Sequence, residues 1–329
     1  MTWLELPVPT GTIPIPAIGS WLAAERRAGT VDQGLFLREP GEPGRRRLIV
    51  QARGPAGGTA AALRRLADDT IPPAVRTATI VPLQGSAFAG PALAEVTRDF
   101  LATVTPTLAT LCPPADSPSS ARLAAALDLM AAHLPALGPP AVPGADRVAG
   151  LLGGAPIGVL SLRSHADAFI ATSRDPAVTR RAFDERFAAV RRPVEQRLTA
   201  VLDQIAGRGP TVSPAAAQWH AAVVAARPGI LRRVESGALT VHDGSGDPAA
   251  FTASAFHTTA AGSTTLQTFL HTDPAFVTTR LLTSLLYLSL HHVGLSLTER
   301  WLLCHAVSRA CESVFGVDPV AVLAGLAAG

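Results

Sequence analysis

The sequence predicts an α+β fold: a small antiparallel sheet near the N-terminus and a large helical portion after it. Three observations carry that expectation. Leu35-Phe36-Leu37-Arg38 and the run Arg46 to Arg53 flank a turn through Pro40-Gly41-Glu42-Pro43-Gly44, the pattern of a β-hairpin. Apolar residues at helical spacing fill most of the chain after Pro91. Helix punctuation is also present, with Pro91 at a tolerated first-turn position and Ser296 followed three residues on by Glu299, a capping-box signal.

In order along the chain, the proline-rich N-terminal stretch reads as extended and the hairpin follows it. A helix fits 59–69, a strand Thr77 to Leu83, and a helix from Pro91 to about Leu101 or beyond. Ala121 to Leu134 is helical. Residues 135–156, rich in Pro and Gly, read as a loop and a subdomain junction within one domain over 1–329. Gly158 to Leu162 reads as a strand, and 174–206 as a helix with a break point at Pro193. Another helix fits 214–226, and Gly237 to Gly244 reads as a strand ending in a turn. The last helices, 274–293 and 297–314, are joined by Gly294-Leu295-Ser296.

Composition narrows the function classes. The 329 residues suffice for a substantial core. No apolar run is long enough to span a bilayer and no secretory signal opens the chain, so a cytoplasmic location is expected. Net charge is +3, and every basic side chain is arginine. Clusters at Arg45-Arg46-Arg47, Arg180-Arg181, Arg191-Arg192 and Arg232-Arg233 suit an acidic peptide or a nucleic acid, or are solvated helix ends and turns. Cys112, Cys304 and Cys311 form no disulfide framework, and the Cys304–Cys311 spacing also suits core packing. There is no CxxC, HExxH, phosphate loop or dinucleotide fingerprint, so the expected chemistry uses no metal and no cofactor.

The polar chemistry concentrates between Phe251 and Phe315. Arg280, Ser284, Tyr287 and His291 fall at i, i+4, i+7 and i+11, one face of an otherwise apolar helix. A polar stripe on a buried helix should line a cavity or meet polar partners. Tyr287 is the only tyrosine of the chain. His257, His271, His291 and His292 lie nearby in sequence with Ser254 and Asp273, and histidine is the readiest acid or base near neutral pH. A hydrolase triad of Ser254, His257 and Asp273 lacks the nucleophile elbow such enzymes use. His165 reads as an anchor of a helix start, and His220 beside Trp219 as packing.

The order of segments resembles a known family. The hairpin, the turn Ala87-Phe88-Ala89-Gly90-Pro91-Ala92-Leu93, and the signatures Leu162-Arg163-Ser164-His165 and Ser254-Ala255-Phe256-His257 resemble the thiopeptide-type bacteriocin biosynthesis domain. That domain is related to the glutamate-elimination domain of class I lantibiotic dehydratases. Where eliminases carry a glutamate before the Gly-Gly-Pro turn, this chain has Gln84, and Ala261-Gly262 stand where an Asn-Arg pair is usual. The block Asp273-Pro274, Arg280, Tyr287, Gly294, Glu299-Arg300 and Cys304 instead resembles the stand-alone pyridine synthases of thiopeptide biosynthesis.

The resemblance implies an elimination-domain-like fold and a cofactor-free formal aza-[4+2] cycloaddition between two dehydroalanines of a peptide. Loss of water and of the leader peptide would follow. It implies Tyr287, Ser254, Ser284, Arg280, His257 and His291 as catalytic candidates. Arg45, Arg46, Arg47, Arg53, Gln84 and Phe88 become candidates for binding substrate. The implied partner is a ribosomally made precursor, leader plus a core bearing dehydroalanines and azoles, and not nucleic acid or membrane. Oligomeric state stays open, a homodimer included. The other expectations are a glutamate-eliminating partner of a dehydratase and a non-catalytic precursor-binding scaffold.

Overall fold

The computed structural model describes residues 3–9, 14–38, 47–71, 81–82, 90–112, 118–138, 150–240 and 254–327. Two units emerge: Met1–Arg122 with Leu288–Leu295, and Leu123–Tyr287 with Ser296–Gly329. The α+β expectation holds.

The first unit holds β1 (Leu4–Pro9), α1 (Ile15–Arg27), β2 (Gln33–Arg38), β3 (Arg47–Arg53), α2 (Ala56–Thr70), β4 (Val81–Pro82) and α3 (Pro91–Leu111). The strands form one antiparallel sheet in the order β2-β3-β1-β4. The predicted hairpin is β2–β3, in register from Gln33 opposite Arg53 to Arg38 opposite Leu48. Gly34 through Leu37 are all buried, so β2 is covered on both faces and its run of apolar residues does not alternate. Gly34 lets α1 approach closely: a Cβ there would lie 2.1 Å from Leu22 Cδ2.

The extended reading of the N-terminus is corrected between Ile15 and Arg27, where α1 places Pro16 in its first turn and buries Ile15, Ile18 and Leu22. Proline at that position leaves unmade only a hydrogen bond the helix never had. Pro106, by contrast, lies inside α3. Its missing N–H leaves the Ala102 carbonyl without a helical donor, and the Arg26 guanidinium donates to that oxygen at 3.2 Å.

The second unit is helical. It comprises α4 (Ser119–Ala136, from Leu123 onward), α5 (Gly158–Ala171), α6 (Pro176–Ile205), α7 (Pro214–Glu235), α8 (Ala255–Ala261), α9 (Thr264–Thr272), α10 (Pro274–His292, as far as Tyr287), α11 (Leu297–Phe315) and α12 (Pro319–Ala327). Helix α11 packs on α5 and α6, and α8 packs on α5 and α12. Asp175, Ser213, Ser254, Ser263 and Ser296 cap the helices that follow them, and the Ser296–Glu299 capping box is formed as expected. A buried carboxylate needs a partner; Asp128 on α4 receives both arms of Arg197 from α6, at 2.6 and 2.7 Å.

Three local expectations change. Gly158–Leu162 belongs to α5, because a run buried on every side has no periodicity to separate strand from helix. Pro193 does not interrupt α6. Helix α7 continues past Pro228 to Glu235, and after its C-cap Ser236 the chain turns at Gly237, whose φ of 71° suits glycine. Gly237 to Thr240 therefore form that helix's terminal turn, with Leu239 N–H on the Arg233 carbonyl at 3.0 Å; residues 241–244 lie outside the described residues. So do most of the predicted strand from Thr77 to Leu83, apart from β4, and the turn at 83–89. Among the described residues no single helix is long and apolar enough to cross a membrane.

Candidate active site

The site is built on α5, α8, α10 and α11 of the second unit. Tyr287 is buried on α10, and its phenol oxygen accepts a hydrogen bond from the Cys304 thiol of α11 at 3.5 Å. His165, on α5, meets the Tyr287 ring edge-on with centroids 4.8 Å apart. Trp301 of α11 stacks on His165 at 5.8 Å and meets Tyr287 edge-on at 5.7 Å. The Arg300 guanidinium lies 4.5 Å from the Trp301 ring centroid and 5.2 Å from that of Tyr287. One buried phenol, one imidazole, one indole and one cation therefore share a small volume.

Electrostatics set the protonation of this group. Burial pushes the Tyr287 phenol well above its ordinary range, with Cys304 adding to the effect and Arg300 opposing it. It stays an O–H donor at neutral pH. Burial lowers His165 to about 4; the Ser161 carbonyl opposes this, and the charges of Arg300 and Arg280 reinforce it. The imidazole is neutral at neutral pH, and its Nδ1 lies 2.7 Å from the Ser161 carbonyl, which can only accept. The proton is thus on Nδ1, leaving Nε2 as a base. A neutral donor and a neutral acceptor on adjoining rings can hydrogen-bond the two sides of one amide, the donor at its oxygen and the acceptor at its N–H.

A second polar cluster sits on the same unit. Ser254 is fully buried and caps α8; its Oγ accepts the His257 backbone N–H at 3.2 Å and lies 2.8 Å from His257 Nδ1. His257 Nε2 is 3.1 Å from the Ser164 hydroxyl of α5. Burial lowers the His257 pKa, with the Asp167 carboxylate acting the other way. Asp167 is itself held by Arg163 at 3.0 Å and Arg180 at 3.1 Å, and Arg163 also reaches Glu312 of α11. That ion network fixes α5 against α6 and α11. Ser164 and His165 are adjacent on α5, which ties the two clusters to one helix.

The expected residues are distributed as follows. Tyr287, Ser254, His257 and Arg280 lie within the second unit, and Arg280 acts on His165 through its charge. Its Nη1 donates to the Leu270 carbonyl at 3.3 Å. Ser284 is exposed and its hydroxyl turns back to the Arg280 carbonyl at 3.0 Å. His291 belongs to the first unit, where its Nε2 donates to the Arg38 carbonyl at 3.2 Å. Asp273 of the hydrolase triad caps α10, its carboxylate accepting from Phe276 N–H at 2.8 Å. Arg53 lies over the Trp3 ring at 5.3 Å and pairs with Asp99 at 3.5 Å. Arg45, Arg46, Gln84, Phe88 and the Arg47 side chain lie outside the described residues.

Sequence reading missed His165 and Ser164 as site residues, and the reason is α5. Read as the helix-start anchor after a short strand, His165 has no reason to face anything; on a helix it sits one turn from Ser161 and turns toward Tyr287. Trp301 and Arg300 carried no motif of their own beyond the resemblance. Two open depressions on the same unit, of about 560 Å³ near Glu195 and about 610 Å³ near Thr268, are not lined by these rings. Among the described residues no group of three or more His, Cys, Asp or Glu is placed to hold a metal ion.

An α+β protein with a buried tyrosine–histidine pair is the class that fold and site define. Two solved structures share this fold along nearly their whole length. TsrL aligns with a TM-score of 0.73 and 20% identity over 98% of each chain. TbtD, a pyridine synthase from thiomuracin biosynthesis, aligns with a TM-score of 0.67 and 19% identity over 96% of this chain and 99% of its own. The tRNA-dependent lantibiotic dehydratase MibB from Microbispora sp. 107891 aligns with a TM-score of 0.43 and 18% identity, over 94% of this chain and 28% of its own. No protein-family model matches the chain, and no curated protein matches it in sequence.

Proposed function

We propose that this chain is a pyridine synthase that builds a six-membered nitrogen heterocycle on a ribosomally made peptide. The observation that carries the reading is the neutral Tyr287–His165 donor–acceptor pair, set in a fold shared end to end with the pyridine synthase TbtD. In the proposed reaction two dehydroalanines of one precursor are held in near-attack geometry, and such positioning supplies about 7–11 kcal/mol of a barrier of this kind. One amide must pass to its iminol. Tyr287 O–H gives its proton to the amide oxygen while His165 Nε2 takes the amide N–H proton, and the resulting azadiene adds across the second dehydroalanine; the imidazolium then gives its proton to a leaving group, and the phenolate takes back the proton that the ring loses in aromatising. Elimination of water and then of the leader as its amide gives the aromatic ring.

Ser254 is assigned as a second hydrogen-bond donor to the substrate, Arg280 and Arg300 as charges that keep His165 unprotonated, and Trp301 as the wall that orients its imidazole. The precursor peptide is the assigned partner, and no step asks for a metal or redox group. The eliminase alternative differs in substrate: it needs a glutamylated serine or threonine.

The test is mass spectrometry of the purified protein with a linear precursor bearing azoles and two dehydroalanines. Loss of water with release of an intact leader amide is the expected result. A precursor bound and unchanged would overturn the synthase reading in favour of a scaffold, and turnover of a glutamylated precursor alone would favour elimination.

A further inference from the structure

We propose that Arg300 is a substrate anchor whose guanidinium takes a carboxylate of the precursor peptide beside Tyr287 and Trp301. This deepens the synthase reading and rests on it for the identity of the substrate. A guanidinium brings five N–H donors and a permanent charge. Among the described residues that of Arg300 makes no hydrogen bond and no ion pair, and its Nε is buried without a partner. Its contacts are two ring faces, 4.5 Å from the Trp301 centroid and 5.2 Å from that of Tyr287. Ring faces attract a cation, but they leave its in-plane N–H groups unmade. Arg300 also stands in the first turn of α11, the positive end of that helix, where a cation is disfavoured. A part-buried charge kept in such a setting calls for a partner of opposite sign.

The protein does not supply that partner. Glu299, the preceding residue, folds back onto Ser296 and accepts its N–H at 2.8 Å and its hydroxyl at 2.7 Å. Asp167 on α5 holds Arg163 and Arg180, and Glu312 holds Arg163 and Arg309. Asp273 caps α10. The groups that act on Arg300 electrostatically are Cys304 and Tyr287, and burial keeps both protonated at neutral pH. Positive charge is in excess here, since Arg280 and Arg300 both bear on His165. That excess selects the ligand. A peptide carbonyl would satisfy donors and leave the charge, whereas a carboxylate meets both and matches the guanidinium edge with two oxygens. Arg300, Trp301 and His165 are each part-exposed, so the group is open to a ligand from outside. On a peptide the carboxylate comes from the C-terminus or from an Asp or Glu side chain.

Three forms of the linear precursor separate those sources: the free acid, its C-terminal amide, and the amide with every Asp and Glu changed to Asn and Gln. Calorimetry gives the Kd of each for the unsubstituted protein and for Arg300→Met. One of the two neutralisations should weaken binding to the unsubstituted protein about tenfold or more, and to Arg300→Met less than about twofold. A loss at the first step names the C-terminal carboxylate, and a loss at the second an acidic side chain. The fully neutral form should bind both proteins equally, which a disturbed fold would not give. Should Arg300→Met bind that form more weakly, Arg300→Lys decides. It keeps the charge without the fork and should keep a difference of about threefold between charged and neutral precursors; no difference there overturns the proposal. Equal sensitivity of the unsubstituted protein and Arg300→Met to both neutralisations overturns it too, as does a precursor that the unsubstituted protein does not bind. Coupled binding without turnover removes the synthase reading and leaves the anchor standing; turnover without coupling does the reverse.

Discussion

His292 in the first unit and His165 in the second are both buried imidazoles whose pKa is pushed far down, to about 3 and about 4, with burial the largest cause in each. Their neighbours differ. His292 Nδ1 accepts the Arg38 backbone N–H at 3.1 Å, the Arg38 side chain returns to the His292 carbonyl at 2.7 Å, and His291 takes the Arg38 carbonyl. Arg38 ends the edge strand β2, so two imidazoles occupy hydrogen-bonding groups that an edge strand would otherwise leave open to another chain. His165 instead meets a phenol, an indole and, through their charges, two guanidinium groups. A depressed pKa is common to a staple and a site. The chemistry of the facing groups tells them apart.

The comparison breaks most sharply at Tyr287. Tyr287→Phe keeps the ring and removes the donor, and should slow ring formation about 10³-fold with leader affinity unchanged, read by product mass and by titration of the leader. Equal product from the variant would take the phenol out of the mechanism. His165→Phe preserves a flat ring against Trp301 and should lose about 10²-fold in rate with a small change in melting temperature. His292→Ala should do the reverse: it leaves Arg38 N–H unpaired and a cavity beside Phe36, a loss of about 2–4 kcal/mol in urea denaturation. If it abolished turnover without loss of stability, the staple assignment would be wrong.

Acid sharpens the same contrast. His133, like His292, is lowered to about 3 by burial, and His165 to about 4, all below the ordinary 6.5. Between those values the unfolded chain binds protons that the folded chain does not, so stability is complete above about pH 6.5 and falls as pH drops toward 4. Each such histidine adds a slope of about 1.4 kcal/mol per pH unit in that window. His292→Ala should flatten the slope; a pH-independent stability from 7 to 4.5 would contradict the burial of these rings. The smallest effect is expected from Arg53→Ala, where a partly exposed pair with Asp99 and a cation over Trp3 together contribute about 1 kcal/mol or less.

The sequence carried the α+β class, the hairpin, most helices and the Ser296 capping box, because these depend on spacing over a few residues. It carried Tyr287 as well, by its setting on an apolar helix. It did not carry the single-face stripe as one surface. From Arg280 to His291 the helix rises about 16 Å, and along that length its surroundings change from the Leu270 carbonyl at Arg280 to solvent at Ser284, the aromatic cluster at Tyr287 and strand β2 at His291. Helical phase is a local property, whereas the identity of the facing element is not. His165 was lost for the same reason: its partners lie 122 and 136 residues away on α10 and α11, at Tyr287 and Trp301. No periodicity reaches that far.

Pro106 and Arg26 have a bearing on how this sequence can drift over generations. The proline opens a gap in the α3 hydrogen-bond ladder at Ala102, and an arginine from another helix fills it. Replacing Pro106 alone restores a backbone donor, and the carbonyl, with two lone pairs, can accept it beside the guanidinium. Replacing Arg26 alone strands that carbonyl. The dependence therefore runs one way: relatives with proline at this position should keep the arginine, whereas the arginine can persist without the proline.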